Sequence, residues 1–150
     1  PLGYGPNRTR PYYGVIDNAV RAAAGRGVSV KLMVSHWNLE QPMLAWLKSL
    51  SLAPTVQIRV VTLPQASGGF IPFARVIHTK AMTIDGKLAW LGTSNWAGGY
   101  FDNSRNLEVV LRSEPMAVRL AALHEQAWSS AYAQPLDVNK DYPKPNKGGH

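Results

Sequence analysis

The sequence predicts an α/β fold, a mixed sheet flanked by helices, and three observations predict it. Helical and strand periodicities alternate, helix–strand–helix–strand, as far as Val60. An Asp-Gly pair then separates two alternating apolar runs, and an N-capped amphipathic segment follows before a polar tail. Alternation of the two periods is the pattern of sheets buried against helices.

Tyr12 to Arg26 reads as the first helix, with Ile16, Ala19, Val20 and Ala23 at i, i+3, i+4, i+7 and Gly25 and Gly27 at its end. Val28 to Val34 alternates as a strand. Pro42 opens a second helix whose Met43, Trp46, Leu47 and Leu50 share a face. Val56, Ile58 and Val60 mark a second strand, and Leu63 to Pro72 reads as a loop around Ser67-Gly68-Gly69. Arg75 to Ile84, the turn Asp85-Gly86 and Lys87 to Leu91 read as a hairpin, because Asp and Gly tolerate the positive φ of tight hairpin turns. Asn106 to Leu111 is a further strand. Ser113 caps a last helix with Pro115 in its first turn and Met116, Leu120, Leu123 and Ala127 along its expected inner face. From Gln134 the chain is polar and rich in Pro, Lys and Asn, which predicts a flexible tail over 134–150 beyond a domain at 1–133.

At 150 residues and 45% apolar composition the chain is long enough for one well-cored domain and too apolar for a disordered one. No run of about twenty apolar residues is present. With no cysteine, disulfides, thiolate metal sites and a Cys nucleophile are excluded. The turn-like start, Pro1-Leu2-Gly3-Tyr4-Gly5-Pro6, predicts a piece of a longer polypeptide, and Asn7-Arg8-Thr9 is a sequon of the kind that often arises by chance. Residues 1–75 carry a net +6 and residues 76–150 a net +1. That basic front half either draws polyanions toward the molecule or simply solvates it.

The chemistry concentrates between residues 78 and 95, which read H-x-K-x4-D-x6-G-[ST]-x-N. On a strand His78 and Lys80 project together. An imidazole can attack phosphorus while an adjacent ammonium neutralises the oxygens on which charge develops. The ordinary His pKa of ~6.5 lets one ring act as nucleophile or as proton donor. Thr93 and Asn95 are expected to hydrogen-bond a non-bridging phosphate oxygen. Glu108, expected in a buried strand, needs a partner, and orienting His78 through its second ring nitrogen is a role for it. Asp85 is explained by the turn alone. Among the other histidines, His124 is covered by surface helix polarity, His36 beside Trp37 is placed to line a cleft, and His150 is in the tail. Trp96, Tyr100 and Phe101 either stack on a base or lipid glycerol, or cover a sheet edge. Neither cofactor nor metal is expected, since the carboxylates are dispersed and His78 with Lys80 makes no metal site.

The motif resembles the signature of the phospholipase D superfamily. Ile71 to Lys80 and Gly92 to Phe101, with Ile16-Asp17-Asn18-Ala19 and Arg26-Gly27-Val28, are similar to the C-terminal half of phospholipase D family members three and four. The resemblance covers roughly residues 1–132 and implies a phospholipase D-like αβα sandwich forming the second motif of a two-motif enzyme. It implies metal-independent phosphodiester cleavage through a phosphohistidine, with His78 and Lys80 catalytic, Thr93 and Asn95 on the phosphate and Glu108 as orienter. It also implies 5′ exonuclease action on single-stranded DNA or RNA in an endolysosomal or ER-lumen setting, with phospholipid hydrolysis or transphosphatidylation attributed to the same branch. A cysteine that the resemblance implies near Ser35-His36-Trp37 is absent. Because the mechanism needs two histidines, the implied partner is an N-terminal half with the other motif, or a second copy by homodimerisation. A different class of reading is a non-catalytic half-domain that only binds polyanions.

Overall fold

The computed structural model describes residues 12–147. The expected turn at residues 1–6, the sequon at Asn7 and His150 lie outside them. In order come α1 (Val15–Gly25), β1 (Val30–Ser35), a 3-10 turn (His36–Leu39), α2 (Met43–Ser51) and β2 (Val56–Val61). They are followed by β3 (Ala81–Ile84), β4 (Leu88–Gly92), α3 (Gly98–Asp102), β5 (Glu108–Arg112), α4 (Glu114–Trp128) and β6 (Ala133–Pro135). The α/β class expected from the alternation is present, and the strands divide into two three-stranded sheets, β1-β2-β6 and β3-β4-β5.

The first sheet holds the core. β1 and β2 run parallel, Val30 opposite Val56 through Ser35 opposite Val61, and β6 adds antiparallel to β2. Val34, Val56, Ile58 and Val60 are buried with Leu47 and Leu50 of α2 and Ala24 of α1. This is the strand-and-helix periodicity of the sequence realised as one cluster. α1 is rotated from its expected face: Ala19 is exposed, whereas Asp17 and Ala24 are buried. A buried carboxylate requires a partner, and Arg21 Nε donates to Asp17 Oδ1 at 2.9 Å.

The second sheet is an antiparallel meander. Asp85 and Gly86 sit at φ 52° and 67°, both positive, as the central pair of a primed turn requires; Lys87 N–H donates to Ile84 O at 3.0 Å, and Ile84 pairs with Leu88 across this loop. α4 packs on β3 and β4. Its inner face differs from the expected one: Met116 and Leu123 are about half exposed, at 47% and 48%, whereas Ala117 and Trp128 are buried. The stripe is Ala117, Ala121, His124 and Trp128, small at its first turns and aromatic toward its end. His124 is therefore half-buried rather than a surface residue. It stacks on Trp128, with ring centroids 5.7 Å apart, and burial lowers its pKa.

Trp128 also joins the two sheets. Arg59 of β2 lies over its ring, 4.9 Å from the centroid, and donates to its carbonyl, while Lys31 of β1 lies 5.4 Å from the same ring and pairs with Glu125. The break expected at residue 134 falls inside β6. Leu136 packs against the core cluster, Lys48 Nζ donates to Lys140 O at 2.7 Å, and Lys144 and Lys147 both pair with Glu40. Polar composition misled there because three residues of β6 and a handful of side-chain contacts are enough to lay a Pro/Lys-rich segment along a surface.

Leu47 is fully buried in the first sheet's core. Replacing it with Ala is expected to lower unfolding stability by about 2–5 kcal/mol, read by denaturant titration.

Candidate active site

The candidate residues gather at one end of the second sheet. Gly92 pairs with Glu108 in the β4–β5 ladder, and Gly92 N–H donates to Lys80 O at 3.1 Å, one step beyond β3. Lys80, Gly92 and Glu108 thus form one row across three chains. Cross-strand partners share a face, so Lys80 and Glu108 project on the side of Met82, Trp90 and Val110, opposite the Ala89 side that α4 covers.

His78 and Lys80 were expected within a strand; both instead lie just before it, since β3 begins at Ala81. The ladder stops for an identifiable reason. Its next bond would run from Ser94 N–H to His78 O. Glu108 Oε1 takes the Ser94 N–H at 3.2 Å, and the Lys80 ammonium donates to His78 O at 2.6 Å. Two charged side chains replace one backbone bond, and the chain segments part at the site. His78 is left exposed, and its ring has no hydrogen bond to another described residue. The Lys80 charge, followed by partial burial, holds the His78 pKa below its ordinary 6.5. The ring is therefore neutral at pH 7 with a nitrogen lone pair available. One Lys80 N–H is committed to His78 O, which leaves two for an incoming anion.

Glu108 lies in an exposed edge strand and not in a buried one. Its carboxylate crosses the Cα of Gly92 so closely that a Cβ there would stand 1.6 Å from Oε2 and 2.7 Å from Trp90. Gly92 is required by this approach. Its one hydrogen bond among the described residues is the one to Ser94, not to His78. Thr93 is likewise engaged: its hydroxyl donates to Asn106 Oδ1 at 2.9 Å and accepts from Leu107 N–H at 3.1 Å. The proton expected to reach a phosphate is used inside the protein. Asn106 continues this chain by donating to Tyr100 O and Ser104 Oγ, both at 2.7 Å. Asn106 was missed as a site residue; it lies just ahead of β5, two residues before Glu108. The Asn95 amide makes no side-chain hydrogen bond to another described residue.

The aromatics after the motif pack internally: Trp96 lies 6.1 Å from Trp90, and Phe101 stacks on Tyr13 at 5.6 Å. Asp85 occupies the hairpin turn at the other end of β3, away from His78. His36 lines a cavity with Trp37 at the end of β1. Among the described residues no group of three His, Cys, Asp or Glu is arranged to hold a metal.

Two outcomes follow. Lys80→Met should raise the His78 pKa toward its ordinary value, visible as an upward-shifted imidazole titration by NMR. Gly92→Ala should force the carboxylate off Ser94 and destabilise the fold by about 1–3 kcal/mol, a loss expected to shrink in a Glu108→Ala background.

Comparison with known proteins places the chain in a family. A family described as "Cardiolipin synthase, PLD-like domain" matches residues 13–128. The chain is 40% identical over 143 residues to the mouse protein named 5′-3′ exonuclease PLD4, covering 84% of this chain and 28% of that protein. It is 36% identical over 133 residues to phospholipase D Y of Dictyostelium discoideum, covering 87% and 30%. The chain therefore spans under a third of the length of these relatives. Among solved structures, NucT from Helicobacter pylori superposes with a TM-score of 0.70 at 17% identity, over 81% of this chain and 74% of that one. Nuc from Salmonella typhimurium, a phospholipase D family member, superposes at 0.66 with 17% identity, over 90% and 76%. The chain belongs to the phospholipase D-like family.

Proposed function

We propose that the chain supplies one half of a metal-independent phosphodiesterase site that acts on single-stranded nucleic acid from its 5′ end. The observation that carries this reading is the Lys80 ammonium beside a neutral, exposed His78. In the first displacement a neutral imidazole attacks phosphorus in line with the departing oxygen, a P–N bond forms, and a second histidine protonates the leaving oxygen. In the second, water attacks the phosphohistidine, that same second histidine now takes the water's proton, and the P–N bond breaks. His78 fills one of these two roles. Lys80 and the Asn95 amide bind the non-bridging oxygens, and Glu108, with Thr93 and Asn106, positions the 92–95 turn that carries Asn95.

The second histidine must come from another phospholipase D-like half. The face that carries Lys80 and Glu108 supports this, because Met82, Ile84 and Val110 on it are 39%, 44% and 63% exposed. An apolar sheet face is costly to leave in water, and a half-domain docked there would bring its own histidine toward the same row. Nucleic acid is favoured over lipid by the names of the exonuclease relatives. The phospholipase D names of others keep a phosphodiester lipid as the second substrate reading.

Hydrolysis of bis-p-nitrophenyl phosphate in excess chelator, beside His78→Asn, tests the chemistry. Turnover is expected to survive the chelator and to fall by about 10³-fold or more in the variant. Activity of the chain alone would mark assembly of two copies. Activity only after a second motif is supplied would mark a two-motif enzyme. Chelator-sensitive turnover, or turnover that survives the loss of His78, would refute the reading.

A further inference from the structure

A cavity of about 170 Å³ lies where β1 and β2 end, walled by His36, Trp37, Thr62, Gln65, Phe70 and Arg75. In parallel α/β sheets the crevice outside the carboxyl ends of the strands is the usual ligand position. Here the segment that closes over it, residues 62–76, runs directly into the catalytic motif. Arg75 stands three residues before His78, so the two backbones are at most about 11 Å apart.

The walls are chemically specific. Trp37 is held edge-on to Phe73, 5.8 Å between centroids at 73°, and to His36, 6.3 Å at 72°. Its orientation is thus set by two neighbouring rings. His36 Nδ1 is buried without a well-formed hydrogen bond, and the Val61 carbonyl at the end of β2 is the backbone acceptor beside the ring. Around it, Thr62 and Gln65 offer a hydroxyl and an amide, and Arg75 a guanidinium. Burial lowers the His36 pKa, so the ring is neutral at pH 7, with one nitrogen to donate and one to accept. The backbone of the covering segment is itself constrained: Phe73 and Arg75 both hold positive φ, at 60° and 54°, a region that side-chain-bearing residues rarely adopt and that recurs at ligand clamps.

The size decides the class of occupant. Drug-sized ligands take pockets of about 300–1,000 Å³, so this one admits a single flat ring system and not an acyl chain. Aromatic walls, an Arg plane and hydrogen-bonding groups directed at a ring edge are the means by which unpaired bases are recognised in single strands. We infer that the cavity at His36 and Trp37 is a base-binding subsite that takes one nucleobase of a single-stranded substrate while its phosphodiester lies at His78 and Lys80. This inference rests on the nucleic-acid reading above. It also gives Arg75 a place between subsite and phosphate.

The test is binding of two pentamers by the chain, oligothymidylate and an abasic tetrahydrofuran strand with the same number of phosphates. Equal charge cancels the sequence-independent electrostatic contribution. The thymidylate is expected to bind about tenfold or more tightly. Trp37→Ala, and separately Gln65→Trp, an exposed-position change that fills the mouth, should erase that preference and leave the abasic affinity unchanged. Equal affinities in the unaltered chain, a preference that survives Gln65→Trp, or variants that weaken both pentamers alike would overturn the subsite. Base preference without phosphodiester cleavage, even with a second motif half supplied, would refute the hydrolytic reading alone, and cleavage without base preference the subsite alone.

Discussion

The candidate site depends on one substitution of partners at the end of the hairpin sheet. Where the β3–β4 ladder should add a bond between Ser94 N–H and His78 O, the Glu108 carboxylate takes the donor and the Lys80 ammonium takes the acceptor. Both backbone groups remain satisfied, so the break costs little. The result is a chain that leaves the sheet at Lys80, a histidine freed from pairing and an ammonium held against it. Gly92 makes this possible, since any Cβ at that position would occupy the space of the carboxylate.

Around that break the structure is anchored in layers. Thr93, Asn106 and the carbonyl of Tyr100 tie the 92–95 turn to the α3 segment. Trp96 on Trp90 and Phe101 on Tyr13 fasten the same segment to the sheet and to the start of α1. Farther away, Trp128 is gripped by Arg59 and Lys31, which couples the sheet that carries the motif to the sheet that carries the core. A cation over an aromatic ring is worth about 0.5–2 kcal/mol, and Arg59 adds a hydrogen bond to the Trp128 carbonyl. The two sheets have different tasks. The first is buried and supplies stability; the second leaves one face open and supplies chemistry.

That division explains why so much apolar surface remains on the catalytic side. Met82, Ile84 and Val110 are 39%, 44% and 63% exposed on that face, the last on an edge strand, a position that monomeric proteins ordinarily blunt with charge or cover. On the proposed reading, in which a second histidine comes from another half, the chain has reason to keep such a face.

The sequence by itself determined the α/β class, the Asp85-Gly86 turn, the two core strands and the position of the His78-to-Asn95 motif. Each is encoded in local signals, namely periodicity, turn chemistry and fixed spacing, that do not need distant residues. Tertiary structure alone decided the rest. Which face of α4 is buried was decided by its packing on β3 and β4, which covers Ala117 and Trp128 and leaves Met116 and Leu123 half exposed. Thr93 lost its expected role because Asn106, thirteen residues on, claims its proton. Glu108 turned to Ser94 because cross-strand register sets it opposite Gly92. The polar tail was laid down by β6 and by Glu40, about a hundred residues earlier in the chain. In every such case the deciding partner is remote in sequence, and hydrogen bonds and close packing are settled by what the fold brings within a few ångströms.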